Sequence, residues 1–155
     1  MTRQLSSSRR WSVTLLLTKV CFPIIEIDRR MKVLGEMFLL EGWQNSEKGF
    51  LCRLQTNPAH EVYKAHFPSQ PVTPGVCLLQ LAGELLSEHL QRPLYLMVVK
   101  NAKFLTLLIP EEGKRVVCEY ISVEQAETEC KTQMLVRDEE TVYAKFSLIF
   151  RYEQC

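Results

Sequence analysis

The stretch between Thr73 and Pro93 restricts the fold of this chain more than any other. Thr73-Pro74 is a helix start, an N-cap hydroxyl followed by proline at the first helical position, and the helical pattern runs to about Leu90 before Pro93 stops it. Val76, Cys77, Leu78, Leu79, Leu81, Ala82, Leu85, Leu86 and Leu90 make it apolar on most of its circumference. A helix of that kind has to be covered on nearly every side. The remaining sequence offers only strands to cover it.

Those strands have period-two patterning. Met37–Trp43 is short and apolar, and the turn cluster Asn45-Ser46-Glu47-Lys48-Gly49 leads into Phe50, Cys52 and Leu54, which alternate with Leu51, Arg53 and Gln55. Thr56 to Pro71 has no sustained period and is expected to be a loop, with one helical turn near Val62–Lys64. Four strands are predicted after the helix: Leu94–Leu105, Arg115–Val123, Thr128–Arg137 and Thr141–Tyr152. Short turns at Glu124–Glu127 and Asp138-Glu139-Glu140 make the last three antiparallel neighbours. One long helix among antiparallel strands has few packing solutions, and a curved sheet wrapped around the helix is the simplest, with a second subunit closing the remainder. The class is α+β.

The chain has 155 residues, enough for one domain with a real core but not comfortably for two. With a formal net charge of +1 it carries no global field that would recruit nucleic acid or an anionic membrane. No segment approaches the ~20 apolar residues that a bilayer span needs. None of the six cysteines forms a C-x-x-C pair, and with three histidines no zinc spacing arises, so no metal site is expected. Four of the cysteines sit in apolar segments, as reduced buried thiols do, which points to the cytoplasm. Residues 1–30 differ from the rest. Arg3, Arg9 and Arg10 precede the apolar run Trp11–Leu17, but Lys19 interrupts it, Pro23 follows and no small-x-small cleavage site precedes Glu26. They are expected to be a poorly ordered extension, or to lie upstream of a true start at Met31, with the domain at 31–155.

The chemistry is concentrated in His66-Phe67-Pro68-Ser69-Gln70-Pro71-Val72-Thr73-Pro74-Gly75. Three prolines, Pro68, Pro71 and Pro74, stiffen the loop and hold His66 in place. The loop runs into a helix N-terminus, where the amides of Gly75, Val76 and Cys77 and the helix dipole favour negative charge. Gly75 has no Cβ, so a ligand could approach its backbone closely. An imidazole beside an oxyanion-stabilising helix end suits removal of a proton next to a carbonyl. A lone loop histidine with an ordinary packing role is the competing explanation.

This segment resembles the signature of the 3-hydroxyacyl-acyl-carrier-protein dehydratases, a hotdog-fold family: H-F-P-G-x-P-x-x-P-G-x-x-x-x-E against H-F-P-S-Q-P-V-T-P-G-V-C-L-L-Q from His66 to Gln80. Asn101-Ala102-Lys103-Phe104 is similar to the family's strand after the central helix, and the resemblance spans about Met31 to Tyr152. It implies a hotdog fold, His66 as the base that takes the C2 proton, Gly75 and Val76 at the site of the thioester carbonyl, and no cofactor. The family's acidic residue, which handles the departing C3 hydroxyl, falls at position 80, where this chain has Gln80. Ser69 and Ala65 stand where the family has glycine. Family members often carry Glu and then Gln four residues later, whereas here the order is Gln80 then Glu84. An i,i+4 step keeps both on one helix face, so the carboxylate is expected to have moved to Glu84, with Gln80 orienting substrate or water. The same residues, with Ser87, Glu88 and Gln91, also fit a solvated polar stripe.

The resemblance implies dehydration of a 3-hydroxyacyl thioester on an acyl carrier protein to the trans-2-enoyl thioester, in fatty-acid or related lipid or polyene biosynthesis, by a homodimer. A carrier bearing a phosphopantetheine-linked chain would favour the cations Lys100, Lys103, Lys114 and Arg115 near a tunnel mouth, which also fit an ordinary solvated surface. The alternatives are a non-catalytic acyl-thioester-binding protein, which Gln80 favours, and a thioesterase on the same fold. His60 is expected to be solvated, and His89, at the helix end, to carry a cation that suits the dipole.

Overall fold

The computed structural model describes residues 32–154 and, ahead of them, strand β1 (Val13–Leu15). The rest of the expected N-terminal extension lies outside the described residues, as do Cys21 and Cys155. The elements that follow are β2 (Phe38–Asn45), β3 (Phe50–Thr56), the single turn α1 (Val62–Ala65), the long helix α2 (Gly75–Leu90), β4 (Leu94–Phe104), β5 (Arg115–Gln125), β6 (Glu129–Arg137) and β7 (Val142–Tyr152). All strands join one antiparallel sheet in the order β1-β4-β7-β6-β5-β3-β2. This is the sheet-around-a-helix arrangement that the apolar circumference of α2 demands, and it is the hotdog fold.

The alternation in the sequence decides which face of each strand looks inward. Ala144, Phe146, Leu148, Phe150 and Tyr152 of β7 are buried, and so are Cys130, Thr132, Met134 and Val136 of β6. Against them α2 places Leu81, Ala82, Leu85 and Leu86, all fully buried. At full burial each leucine contributes roughly 1.5–3 kcal/mol. Two contacts fix the helix on the sheet. The Tyr120 hydroxyl donates to the Ala82 carbonyl across 2.6 Å, and the Phe150 ring lies 3.1 Å from the place a Cβ on Gly83 would take.

Helix α2 ends as expected. Gln91 takes a left-handed conformation, φ 53°, and its amide and that of Arg92 return to the carbonyls of Glu88 and Ser87. The start differs by one residue. Pro74, not Thr73, is the N-cap, and no side chain caps the helix. The Thr73 hydroxyl is instead hydrogen-bonded to the buried Tyr63 hydroxyl at 3.1 Å. A buried phenol needs a partner, and that demand outweighs the local capping preference.

His89 also departs from expectation. Its ring stacks on Phe50 at 3.7 Å and lies 5.5 Å from Trp43, and burial lowers its pKa from the ordinary value. The fold therefore favours the neutral imidazole, against the cation expected at a helix end. The unfolded chain binds the proton more readily, so this contribution to stability is present above the unfolded pKa of about 6.5 and is lost as pH falls toward the folded pKa. We expect the melting temperature of the wild type to fall more between pH 7 and pH 5 than that of His89→Phe, measured by circular dichroism.

The four described cysteines, Cys52, Cys77, Cys118 and Cys130, are free and buried. Cys52 and Cys118 face each other across β3 and β5, and burial pushes both thiols up. These are packing residues, poorly placed to form thiolates. Among the described residues no helix is long and apolar enough to cross a membrane.

Candidate active site

His66 follows α1 directly, and backbone bonds pin it on both sides. Its amide donates to the Val62 carbonyl at 3.0 Å, and its own carbonyl accepts from the Val72 amide at 2.9 Å. Within the intervening loop the Gln70 amide donates to the Phe67 carbonyl at 3.0 Å. The Thr73 amide, donating to the Leu108 carbonyl at 2.8 Å, ties the loop to the β4–β5 connection. The His66 side chain is half-buried, edge-on to the Phe67 ring at 5.6 Å. Fixed backbone and partial access are what a reacting base requires.

Beyond this loop α2 begins. The Cys77 amide donates to the Pro74 carbonyl at 3.0 Å, while the amides of Gly75 and Val76 have no acceptor among the described residues. Two open N–H groups at the positive end of a 16-residue helix suit a polarised carbonyl oxygen. Gly75 has a different reason from the expected one. A Cβ there would lie 2.7 Å from the Phe104 ring, so the missing side chain admits an aromatic ring of β4, and not a ligand. Gly75→Ala should cost about 1–2 kcal/mol by overpacking, and Phe104→Leu in the same chain should restore most of it, read by urea unfolding.

Gln80 and Glu84 are not a solvated stripe. Gln80 is 8% exposed and Glu84 is half-buried. Gln80 Nε2 donates to Glu84 Oε1 at 3.1 Å. The Val33 amide donates to both carboxylate oxygens at 3.1 Å, and the Leu34 amide donates to Oε2 at 2.5 Å. Three N–H groups thus converge on one carboxylate, which stands as an acceptor. Further along the helix, Glu88 and Gln91 are exposed, so the stripe is solvated only beyond the first three turns. Cys77, buried beside this pair, is pushed up to about 11 by burial and then by Glu84.

The four cations expected at a carrier surface fall into separate places. Lys100 and Lys103 lie on β4 and Arg115 on β5, with β7 and β6 between them, a separation of about 14 Å at the usual strand spacing. Arg115 Nε is 2.8 Å from Glu41 Oε1, and Lys114 Nζ lies 5.2 Å from the centre of the Tyr143 ring. Lys103 faces Lys145 across the β4–β7 pair. Lys100 borders a shallow cavity of about 100 Å³ with Glu124 and Lys131. A larger depression of about 350 Å³ lies beside Tyr95, Arg151 and Tyr152. Neither is lined by His66 or by the loop after it. His60 is half-buried, accepting from the Val62 amide at 3.1 Å and lying 3.5 Å from Glu36, so it shapes the approach to α1 and is not simply solvated.

Sequence patterning missed the amides of Val33 and Leu34, because a backbone donor has no residue signature. It also missed Phe104 as the neighbour of Gly75, for which the paired small and large residues are the only available signal.

The family described as ApeI-like, ApeI dehydratase, matches residues 42–146. Two curated relatives, the 3-hydroxyacyl-[acyl-carrier-protein] dehydratases FabZ of Bartonella quintana and Bartonella henselae, are 32% and 33% identical over 103 residues, 61% of this chain. The chain matches only 59% of the length of each. Among solved structures, a chain of the dehydratase heterocomplex ApeI:P from Xenorhabdus doucetiae superposes with a TM-score of 0.60 at 16% identity, over 78% of this chain and 99% of that one. A hypothetical thioesterase from Streptococcus pneumoniae, solved with coenzyme A, gives 0.52 at 11% identity, over 75% and 85%. At these identities the structural likenesses speak for the hotdog fold, while the sequence match decides the family: the chain belongs to the ApeI-like dehydratases.

Proposed function

We propose that this protein removes water from a 3-hydroxyacyl thioester carried on an acyl carrier protein, giving the trans-2-enoyl thioester. The observation that carries this reading is the placement of His66 in a pinned loop immediately before two open amides of a helix N-terminus. The Gly75 and Val76 amides hold the thioester carbonyl and draw charge onto its oxygen, which acidifies C2. His66 takes the C2 proton, and the electron pair of that bond becomes the new double bond as the C3–O bond breaks. The proton lifted from C2 and the hydroxide leaving C3 together make the water released, so neither oxidant nor cofactor enters the balance. The Gln80–Glu84 pair receives the C3 hydroxyl. Lys100 and Lys103, with Lys145 beside them, are the better cations for an acidic carrier, because Arg115 shares its charge with Glu41 and Lys114 lies against Tyr143. A cytoplasmic homodimer in fatty-acid or related lipid or polyene synthesis completes the proposal.

A second reading is a protein that binds the acyl thioester without transforming it. It is favoured by Gln80 at the family's acidic position and by the commitment of Glu84 to backbone donors. Incubating the full chain with a 3-hydroxyacyl carrier thioester and weighing the products separates these readings. Loss of the mass of water supports the dehydratase, retention of unchanged ligand the binder, and a free acid would mean thioester hydrolysis.

A further inference from the structure

The face of the sheet turned away from α2 carries a polar depression that the chemistry above does not use. Thr132 and Met134 of β6 and Phe146 and Leu148 of β7 are buried, so Lys131, Gln133 and Ser147, which alternate with them, stand on the outer side. Ser122 of β5 pairs in register with Gln133, Gln133 with Ser147, and Glu124 with Lys131. Lys100 is the extra residue of the β4 bulge between Val99 and Asn101, beside the pairing of Asn101 with Ser147. Lys100, Ser122, Glu124, Lys131, Gln133 and Ser147 all border the shallow cavity of about 100 Å³.

Short side chains make its floor and long ones its rim. Ser122 and Ser147 are half-buried, whereas Lys100, Glu124, Lys131 and Gln133 are exposed. Elsewhere on the strands long polar side chains are matched, Arg137 with Glu119 at 2.9 Å and Arg53 with Gln44 at 2.8 Å. Around this cavity they are not. Among the described residues none of the six side chains has a hydrogen-bond or ion-pair partner, and even Lys131 and Glu124, opposite each other, form no ion pair.

A space of that volume holds roughly three waters, or one tetrahedral oxyanion. Two ammonium groups, two hydroxyls and a carboxamide supply the donors. Lys103 and Lys145, two residues further along on the same face, add positive charge without ion pairs of their own among the described residues. Glu124 repels an anion that can only accept. A ligand that also donates turns the same carboxylate into a partner. Inorganic phosphate keeps at least one P–OH at neutral pH, whereas sulfate and phosphodiesters keep none.

We propose that this depression binds inorganic phosphate, with Lys100 and Lys131 over its oxygens, the serine hydroxyls and the Gln133 amide donating to it, and Glu124 accepting from its P–OH. The site lies on the opposite side of the sheet from α2 and does not rest on the dehydratase reading.

The test titrates the full chain with inorganic phosphate, sulfate and dimethyl phosphate at constant ionic strength, followed by amide chemical shifts. Phosphate should saturate with a Kd of roughly 1 mM, moving the amides of Ser122, Lys131, Gln133 and Ser147 together. Sulfate and dimethyl phosphate should bind at least about tenfold more weakly, because each leaves the Glu124 carboxylate facing an acceptor. Glu124→Gln, whose NH₂ donates to either anion, should bring phosphate and sulfate within about twofold of each other. Lys131→Gln should weaken phosphate by about tenfold. Both positions are exposed, so both variants should melt with the wild type. Equal binding of phosphate and sulfate by the wild type, or unchanged phosphate affinity in Lys131→Gln, overturns the inference. So do shifts spread evenly over the surface lysines, which would mark a counterion atmosphere.

Discussion

Replacing His66 by Asn should lower kcat for dehydration by roughly a thousandfold, the scale on which a positioned general base contributes. KM should change little, because the amides of Gly75 and Val76 belong to the backbone and survive the substitution. The fold should survive as well. The bonds that pin the loop run through the His66 amide and carbonyl, and the ring lies edge-on to Phe67. The melting temperature of the variant should therefore stay within about 2 °C of the wild type, which corresponds to less than about 1 kcal/mol in a chain of this size. Steady-state assays with the carrier thioester and a thermal melt check both halves. A loss of activity accompanied by unfolding would assign His66 to structure.

The largest expected loss of stability lies far from that loop. Gly49 closes the β2–β3 hairpin, where the Ser46 amide donates to its carbonyl at 3.0 Å. A Cβ on Gly49 would sit 1.9 Å from the Tyr120 carbonyl oxygen and 2.9 Å from its carbon. Both are backbone atoms, so no rotamer relieves the clash. Strand β5 would have to move at Tyr120, next to its bulge against β6 and at the residue whose hydroxyl holds the Ala82 carbonyl of α2. Gly49→Ala should cost about 3 kcal/mol, toward the upper end for overpacking, and lower the melting temperature by roughly 10 °C. A melt by circular dichroism within a degree or two of wild type would show that the hairpin and β5 separate more easily than their contacts indicate.

Much of this architecture can be read from spacing alone, and the parts that cannot share a cause. The inward faces of β6 and β7 follow from strict alternation at Cys130, Thr132, Met134 and Val136 and at Ala144 to Tyr152, because one buried face leaves a strand no second register. The end of α2 follows from Pro93, and its burial from its apolar circumference. What spacing missed are choices between partners distant in sequence. Thr73 looked like a cap until Tyr63 claimed its hydroxyl, and His89 looked like a helix-end cation until Phe50 and Trp43 covered it. Gly75 looked like room for a ligand until Phe104 filled it. In the candidate site, the loop of His66 and its run into α2 were legible through the prolines and the family signature. The fastening of Glu84 was not, since the amides of Val33 and Leu34 could belong to any residue type.

The central claim is that the His66 imidazole exchanges a proton with C2 of a bound thioester. Incubating the enoyl carrier thioester with the full chain in D₂O runs the reaction backwards and labels that carbon. Mass spectrometry should find the 3-hydroxyacyl product with one deuteron at C2 for the wild type, and almost none of it with His66→Asn. Equal labelling by the two proteins, or hydration without deuterium at C2, would contradict the account.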